Sequence, residues 1–165
     1  MLAGLPGSGK STFARHIVSR HPFLVLESDR MRKILVARPQ YSAEEHGRVF
    51  DSCHQLIDEF LAQGYPVMLD ATNLGQRNRS PVLDIARKRN VPLAIVVVTA
   101  PDGLIRQRLT QREAGGHTGT WSDAGVAVYA RMAPAWEPVR LDHFEVDTSQ
   151  DTGPVLQKVL DWARA

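Results

Sequence analysis

Hydrophobic and polar positions along the chain alternate in blocks that predict a repeating order of strands and helices. Short apolar runs typical of buried strands lie at 23–27, 66–70, 93–99 and 144–147. Stretches with helical periodicity follow them, at about 10–20, from 28 onward, and at 42–64, 77–90, 102–113, 122–132 and from 154 onward. This order predicts an α/β fold with a mostly parallel sheet.

Polar residues at the starts of these helical stretches predict where the helices begin. Ser28 or Asp29 is expected to cap one helix, and Ser122 is expected to cap another. Ser42 and Glu45 have the spacing of a capping box, in which side chains and backbone N–H groups bond reciprocally. Pro154 suits the first turn of the terminal helix.

The most specific motif precedes the first predicted helix. Residues 4–12 read GLPGSGKST, which fits the phosphate-binding pattern G-x-x-x-x-G-K-[ST]. Glycines let the backbone N–H groups curl around phosphates, Lys10 reaches the outer phosphates, and the Ser11 hydroxyl can ligate Mg²⁺. The helix N-terminus adds a favourable dipole. We expect six residues to hold a nucleotide: Gly7, Ser8, Gly9, Lys10, Ser11 and Thr12.

Only residues 1–3 precede this loop, although a P-loop normally follows a buried strand of about five or six residues. Two explanations are open. Either the first strand is unusually short, or residues are missing before Met1.

Composition narrows the class of protein. A chain of 165 residues, 43% hydrophobic and 23% charged, is expected to form a single domain over 1–165. No apolar run approaches the roughly 20 residues that cross a bilayer, and we expect no secretory signal. Cys53 is the one cysteine and lies in an apolar helical pattern, which favours a core position over a reactive thiol. We expect a cytoplasmic protein; its oligomeric state is not readable.

Three carboxylates follow predicted strands and therefore lie where ligands bind in open α/β sheets: Asp29, Asp70 and Asp147. The net charge of +2 is too small to indicate nucleic-acid binding by itself. The six histidines show no metal-ligand spacing, so we do not expect a zinc site.

Asp29 is the candidate catalytic base. Arg32 lies three residues further on the same predicted helix face, where it could hold the phosphate acceptor. Phosphoryl transfer requires positioning, charge neutralisation and a group that orients the nucleophile. The alternative is that Asp29 caps its helix and pairs with Arg32 at the surface.

Asp70 is the candidate metal ligand beside Ser11. It ends the run 67–70 and resembles the acidic residue that holds Mg²⁺ in P-loop enzymes. It could also cap the turn at 71–73, and both roles are compatible.

Arg108 and Arg112 lie one helical turn apart before the small-residue stretch 115–120. An arginine on a mobile lid can close over a transferring phosphate and stabilise its charge. We therefore expect a lid over about 106–121, with at least one of these arginines on the nucleotide. A solvated charged helix face is the alternative.

Together, the P-loop, Ser28-Asp29-x-x-Arg32, the segment LDATNL at 69–74 followed by Arg79, and Arg108-x-x-x-Arg112 identify a resemblance. The chain resembles the kinase family that contains the phage-type polynucleotide 5′-hydroxyl kinases, with gluconate kinases and zeta-toxin kinases as more distant kin. The similarity covers nearly the whole chain.

The resemblance implies a P-loop NTPase fold with a five-stranded parallel sheet and helices on both faces. It implies that Asp29 is the general base, that Arg32 contacts the acceptor, and that Arg112 lies in the lid on the ATP phosphates. The region at 38–41 matches no diagnostic acceptor motif.

The sequence therefore favours an ATP- and Mg²⁺-dependent kinase that phosphorylates a hydroxyl. A polynucleotide 5′ end is the first acceptor hypothesis, and a small metabolite or antibiotic is the second. A nucleotide-binding switch or slow ATPase without an acceptor stays open as a different class.

Overall fold

The computed structural model describes residues 1–115 and 121–164, and its five strands form one parallel sheet in the order β2-β3-β1-β4-β5. The strands are β1 (Leu2–Ala3), β2 (Leu24–Glu27), β3 (Val67–Asp70), β4 (Val96–Thr99) and β5 (Phe144–Asp147). This confirms the predicted α/β fold, and β2 to β5 each lie within one of the four apolar runs identified in the sequence.

Helices connect consecutive strands and cover both faces of the sheet. They are α1 (Lys10–Val18), α2 (Ser28–Leu35), α3 (Ala43–Ala62), α4 (Gln76–Arg89), α5 (Asp102–Glu113), α6 (Val126–Met132) and α7 (Gly153–Arg164), with a 3₁₀ turn at Ala133–Ala135. Within the described part of the chain, no helix is long and apolar enough to cross a membrane.

The alternation of side chains along the strands divides the core into two layers. Leu2 and Val96 pack with α1 and α7 on one face, whereas Leu69 and Val97 pack with α3 and α4 on the other. Cys53 is fully buried in the second layer, as its apolar surroundings predicted. Each central strand is therefore apolar on both sides, which is the reason for the continuous apolar run before Thr99.

Two cap predictions are wrong. The residue that caps α2 is Glu27, and its side chain makes no capping bond, so Ser28 and Asp29 lie inside the first helical turn. Helix α6 begins after Gly125, while the Ser122 hydroxyl accepts from the backbone N–H of Ala124 before the helix starts. In both places the tertiary path of the backbone, which propensity does not encode, decides where the helix begins.

The capping box at the start of α3 is half formed. Ser42 accepts the backbone N–H of Glu45 at 3.2 Å, as predicted. The Glu45 carboxylate instead accepts the N–H groups of Gln40 and Tyr41 at 2.7 and 3.3 Å and pairs with Arg32. Glu45 is 3% exposed, so a carboxylate predicted to cap a helix is a buried charge partner.

The lid expected over 106–121 is described only in part. Residues 106–113 belong to α5, and residues 116–120 lie outside the described residues.

Candidate active site

The loop between β1 and α1 has the backbone of a phosphate cradle. Gly4, Gly7 and Gly9 have φ values of +152°, +79° and +99°, which L side chains rarely adopt. A Cβ on Gly4 would lie 2.2 Å from the backbone oxygen of Val98. The glycines are therefore required both by the path of the loop and by its close approach to β4.

The N-terminus of α1 opens on this loop without a protein cap. Gly9 occupies the capping position and offers no side chain, and α1 has no acidic residue in its first turn. The first N–H groups of a helix lack intrahelical partners and carry a partial positive charge. Combined with the glycine cradle, they form a site suited to phosphate oxygens.

Lys10 lies among the charges that a nucleotide would meet. Its Nζ donates to the backbone oxygen of Leu5 at 3.0 Å, so the side chain folds back over the loop. Burial lowers the pKa of Lys10, whereas the nearby carboxylates of Asp70 and Asp29 act in the opposite direction, and Arg112 adds to the lowering.

Ser11 and Asp70 are brought together as the sequence predicted. The Ser11 hydroxyl donates to Asp70 Oδ2 at 2.7 Å, and Asp70 is 6% exposed. Burial raises the pKa of Asp70, while Lys10 and the bond from Ser11 oppose that rise. An adjacent hydroxyl and a buried carboxylate fit Mg²⁺, which takes oxygen ligands and is usually held by one or two carboxylates together with substrate phosphates. The described residues hold no cluster of three or more metal-binding side chains.

Strand register brings Asp29 to the same edge of the sheet. Glu27, the last residue of β2, pairs with Asp70 at the end of β3, and Asp29 follows two residues later in the first turn of α2. Asp29 is half-buried, and no described residue donates a hydrogen bond to it. Its charge acts on Lys10 and on Arg112. The structure therefore excludes the helix-cap alternative and leaves this carboxylate available to a ligand.

Arg32 is not at the surface with Asp29. It is 5% exposed, pairs with Glu45 from α3, and approaches His46 Nδ1 at 3.4 Å. Its guanidinium carbon lies 4.8 Å from the centre of the Tyr41 ring. Glu45 is the residue that sequence reasoning missed, because its spacing suggested a helix cap and nothing local links α3 to α2.

The two predicted arginines of α5 have different surroundings. Arg112 lines the cleft and donates to the Ala124 oxygen at 3.3 Å, and burial lowers its pKa against the effect of Asp29. Arg108 is not in the cleft lining and instead bonds to the backbone of the P-loop and to Thr148. It donates to Thr148 Oγ1 at 2.8 Å and to the Gly7 oxygen at 3.2 Å.

Thr148 is a further residue that no sequence pattern indicated. Its hydroxyl lies 2.7 Å from the Ser8 oxygen, so the segment after β5 holds the P-loop through a side-chain bond. Asp147, the third carboxylate expected at the ligand edge, accepts instead from the N–H and hydroxyl of Ser149 at 2.8 and 2.7 Å and is not in the cleft lining.

The motif segment after β3 has a structural role. Asn73 adopts a φ of +47° and donates to the Leu2 oxygen at 2.6 Å, and Thr72 accepts the N–H of Gly4 at 3.0 Å. Arg79, 1% exposed, donates to the Asn73 oxygen at 3.0 Å. These bonds fix the segment 71–74 against the start of the P-loop.

One cleft of about 570 Å³ runs from the P-loop to α2, α3 and α6. Ser8 and Arg108 are not in its lining. The other predicted site residues do line it: Gly7, Gly9, Lys10, Ser11, Thr12, Asp29, Arg32, Asp70 and Arg112. The lining also includes Tyr41, His46, Phe50, Trp121, Val128 and Met132. The cleft therefore combines charged side chains with aromatic and apolar ones.

The sheet order, the glycine cradle and the Ser11–Asp70 pair define a nucleotide-binding protein with the P-loop kinase fold. Residues 1–139 match the AAA domain family, and the chain belongs to that family.

The chain is similar to one curated protein in sequence and to two solved structures in fold. L-seryl-tRNA(Sec) kinase of Methanococcus maripaludis is 26% identical over 117 residues, which cover 68% of this chain and 45% of that protein. The chain thus spans about half the length of this curated relative. The Mycobacterium tuberculosis APS kinase CysC, solved with AMPPNP and APS, superposes with a TM-score of 0.72 at 16% identity, covering 99% and 95% of the two chains. A chain of the Pnkp1/Rnl/Hen1 RNA repair complex superposes with a TM-score of 0.64 at 22% sequence identity. The match covers 81% of this chain and 42% of that chain.

Proposed function

We propose that this protein is an ATP- and Mg²⁺-dependent kinase that transfers the γ-phosphate to a hydroxyl. The observation that carries the proposal is Asp29, a half-buried carboxylate without a hydrogen bond from any described residue, in the same cleft as a complete P-loop. A protein that only bound nucleotide would need no such group, whereas transfer to a hydroxyl needs a residue that orients the attacking oxygen and takes its proton.

In the proposed reaction, the acceptor hydroxyl gives its proton to the Asp29 carboxylate. The hydroxyl oxygen forms a bond to the γ-phosphorus while the bond from that phosphorus to the bridging oxygen breaks, and ADP leaves. Lys10 and Arg112 stabilise the charge that spreads over the phosphate oxygens. Arg112 acts as the lid arginine in this proposal, and Arg108 supports the nucleotide through the backbone of Gly7.

The divalent cation would be held by Ser11 and Asp70. It would neutralise phosphate charge during the transfer. Asp70 keeps the Ser11 hydroxyl oriented. The positive charge of Lys10 favours the ionised form of the Asp70 carboxyl group.

For the acceptor, we propose the hydroxyl of a nucleic acid, with a polynucleotide 5′ end first. Two lines of support are the motif resemblance and the structural neighbour from an RNA repair complex. The relative named for a seryl-tRNA supports an acceptor attached to a nucleic acid, but the hydroxyl in that name belongs to the seryl group. The second candidate is a small alcohol, because Glu45 already balances the charge of Arg32 inside the cleft. We propose a cytoplasmic location, where ATP is abundant.

The test is transfer of labelled phosphate from ATP to 5′-hydroxyl DNA, to 5′-hydroxyl RNA and to a panel of small alcohols. Asp29→Asn is expected to lower transfer by about 100-fold or more, since a general base contributes that much, while affinity for a non-hydrolysable ATP analogue stays unchanged. The matched control is Asp51→Asn, an exposed carboxylate on α3 outside the cleft lining.

Two outcomes would contradict the proposal. If Asp29→Asn hydrolyses ATP as fast as the parent and neither protein phosphorylates any acceptor, a nucleotide-dependent switch is the better description. If Asp51→Asn loses as much transfer as Asp29→Asn, the loss does not report a base.

A further inference from the structure

Two large aromatic rings line the cleft and remain open to solvent. Tyr41 is 52% exposed and Trp121 is 45% exposed. An arginine of α2 lies against each of them, with Arg32 4.8 Å from the centre of the Tyr41 ring and Arg30 5.5 Å from the centre of the Trp121 ring. Tyrosine and tryptophan are enriched at binding interfaces, where one end of the ring is apolar and the other bonds a polar partner.

One carboxylate ties the Tyr41 ring to the segment that carries Trp121. Asp123, two residues after Trp121, accepts the Tyr41 hydroxyl at 3.0 Å and Lys33 Nζ at 2.7 Å. Burial and the bond to Asp123 raise the pKa of Tyr41 to about 12, so its hydroxyl stays a donor at neutral pH. The segment that carries Trp121 is thereby tied to α2 and to the loop before α3.

The rings and the proposed base line the same cleft, and the charge of Asp29 acts on Tyr41. Arg30, which contacts Trp121, is the residue next to Asp29, and Arg32 is one helical turn from Asp29. A hydroxyl that reaches Asp29 therefore brings the rest of its molecule into the cleft that these rings line. Planar rings stack on exposed tryptophan and tyrosine without a requirement for sequence or for specific hydrogen bonds.

We propose that Trp121, on the segment that Asp123 ties to Tyr41 and to α2, is a stacking subsite for a planar ring carried by the acceptor next to its reacting hydroxyl. This inference rests on the proposed function, because it assumes that Asp29 meets an acceptor hydroxyl. The ring can be the base of a polynucleotide 5′ end or part of a small alcohol. The subsite selects the ring, and the experiment separates its two sources.

The experiment compares acceptors that differ only by the ring. One pair is a single-stranded 5′-hydroxyl DNA and the same strand with an abasic 5′ residue. The other pair is thymidine and 1,4-anhydro-2-deoxy-D-ribitol, which has the same sugar and both hydroxyls and lacks only the base. Dissociation constants are measured by calorimetry on the protein loaded with AMPPNP and Mg²⁺, and kcat/KM is measured with ATP.

The ring-bearing member of at least one pair is expected to bind about tenfold or more tightly than its partner. Trp121→Ala should remove that difference, and Trp121→Phe, which keeps a ring, should retain most of it. Trp162→Ala, which removes an exposed tryptophan on α7 outside this cleft, should retain all of it. AMPPNP affinity should be equal in all four proteins.

Discrimination within the DNA pair alone assigns the ring to a polynucleotide, and discrimination within the thymidine pair alone assigns it to a small alcohol. The inference is overturned if the parent binds no ring-bearing probe more tightly than its partner. It is also overturned if Trp121→Ala lowers AMPPNP affinity instead, since Trp121 would then serve the donor. If the ring is recognised but no phosphate is transferred, the subsite stands and the proposed acceptor reaction fails.

Discussion

Several residues of this site are determined by backbone geometry before any side-chain chemistry is considered. Gly4, with a φ of +152°, has the N–H bonded to Thr72 and lies against the Val98 carbonyl. The loop can follow this path only because position 4 lacks a Cβ. Gly47, in contrast, lies inside α3 with nothing within 4 Å of a Cβ built on it.

These two glycines give a matched prediction with opposite signs. Gly4→Ala should strongly destabilise the protein, because a Cβ would lie 2.2 Å from a backbone oxygen. A backbone atom cannot move aside by a change of rotamer, as a side chain could. Gly47→Ala should stabilise it by about 0.5–1 kcal/mol through the higher helix propensity of alanine. Urea unfolding of both variants measures the difference. A stabilising or neutral Gly4→Ala would mean that the cradle tolerates a different path.

At the scale of elements, helices α3 and α4 are joined by a compact ion cluster on the face away from the cleft. Asp58 of α3 accepts from Arg89 at 2.5 and 2.8 Å and from Lys88 at 2.8 Å. The bonds from Arg89 and Lys88 hold the pKa of Asp58 well below its ordinary range. By comparison, the Asp84–Arg87 pair within α4 is exposed, with a single 3.2 Å contact.

The depressed pKa of Asp58 makes its contribution depend on pH. A carboxylate with a folded-state pKa below its unfolded value stabilises the protein above about pH 4, and this is lost as the pH falls further. Asp58→Asn should therefore be less stable than the parent at pH 7, and the two should converge in acid. Asp84→Asn should differ little at either pH. A constant gap between Asp58→Asn and the parent down to pH 2 would show that Asp58 acts by packing alone.

Across the whole molecule, the parts predictable from sequence were those encoded by neighbouring residues. Strand periodicity, the glycine loop and the polar residues that follow strands are local signals, and strand register then brings Asp70 and Ser11 into contact. The Arg32–Glu45 pair and the Thr148 bond to the P-loop link elements that are distant in the sequence, so no local residue spacing predicts them. The cap expected at Ser122 failed for the same reason, because the path of the backbone before α6 decides where that helix begins.

The final prediction concerns the P-loop as part of the whole fold. The loop contacts β4 through Gly4, the segment after β5 through Thr148 and the segment after β3 through Thr72. Nucleotide bound there should therefore stabilise the entire sheet. At one hundred times its dissociation constant, a ligand adds about 2.7 kcal/mol, which for a domain of this size raises Tm by about 5–10 °C. Mg²⁺–AMPPNP should produce this shift in the parent.

The control for this shift is Lys10→Ala. It should fold, because the Lys10 ammonium bonds only the Leu5 oxygen among the described residues, yet it should show little of the thermal shift. Omitting Mg²⁺ should reduce the shift in the parent, because the buried Asp70 carboxylate would then face the phosphates without a cation between them. An equal shift in the parent and in Lys10→Ala would mean that the nucleotide binds outside the P-loop, and the proposed donor site would be wrong.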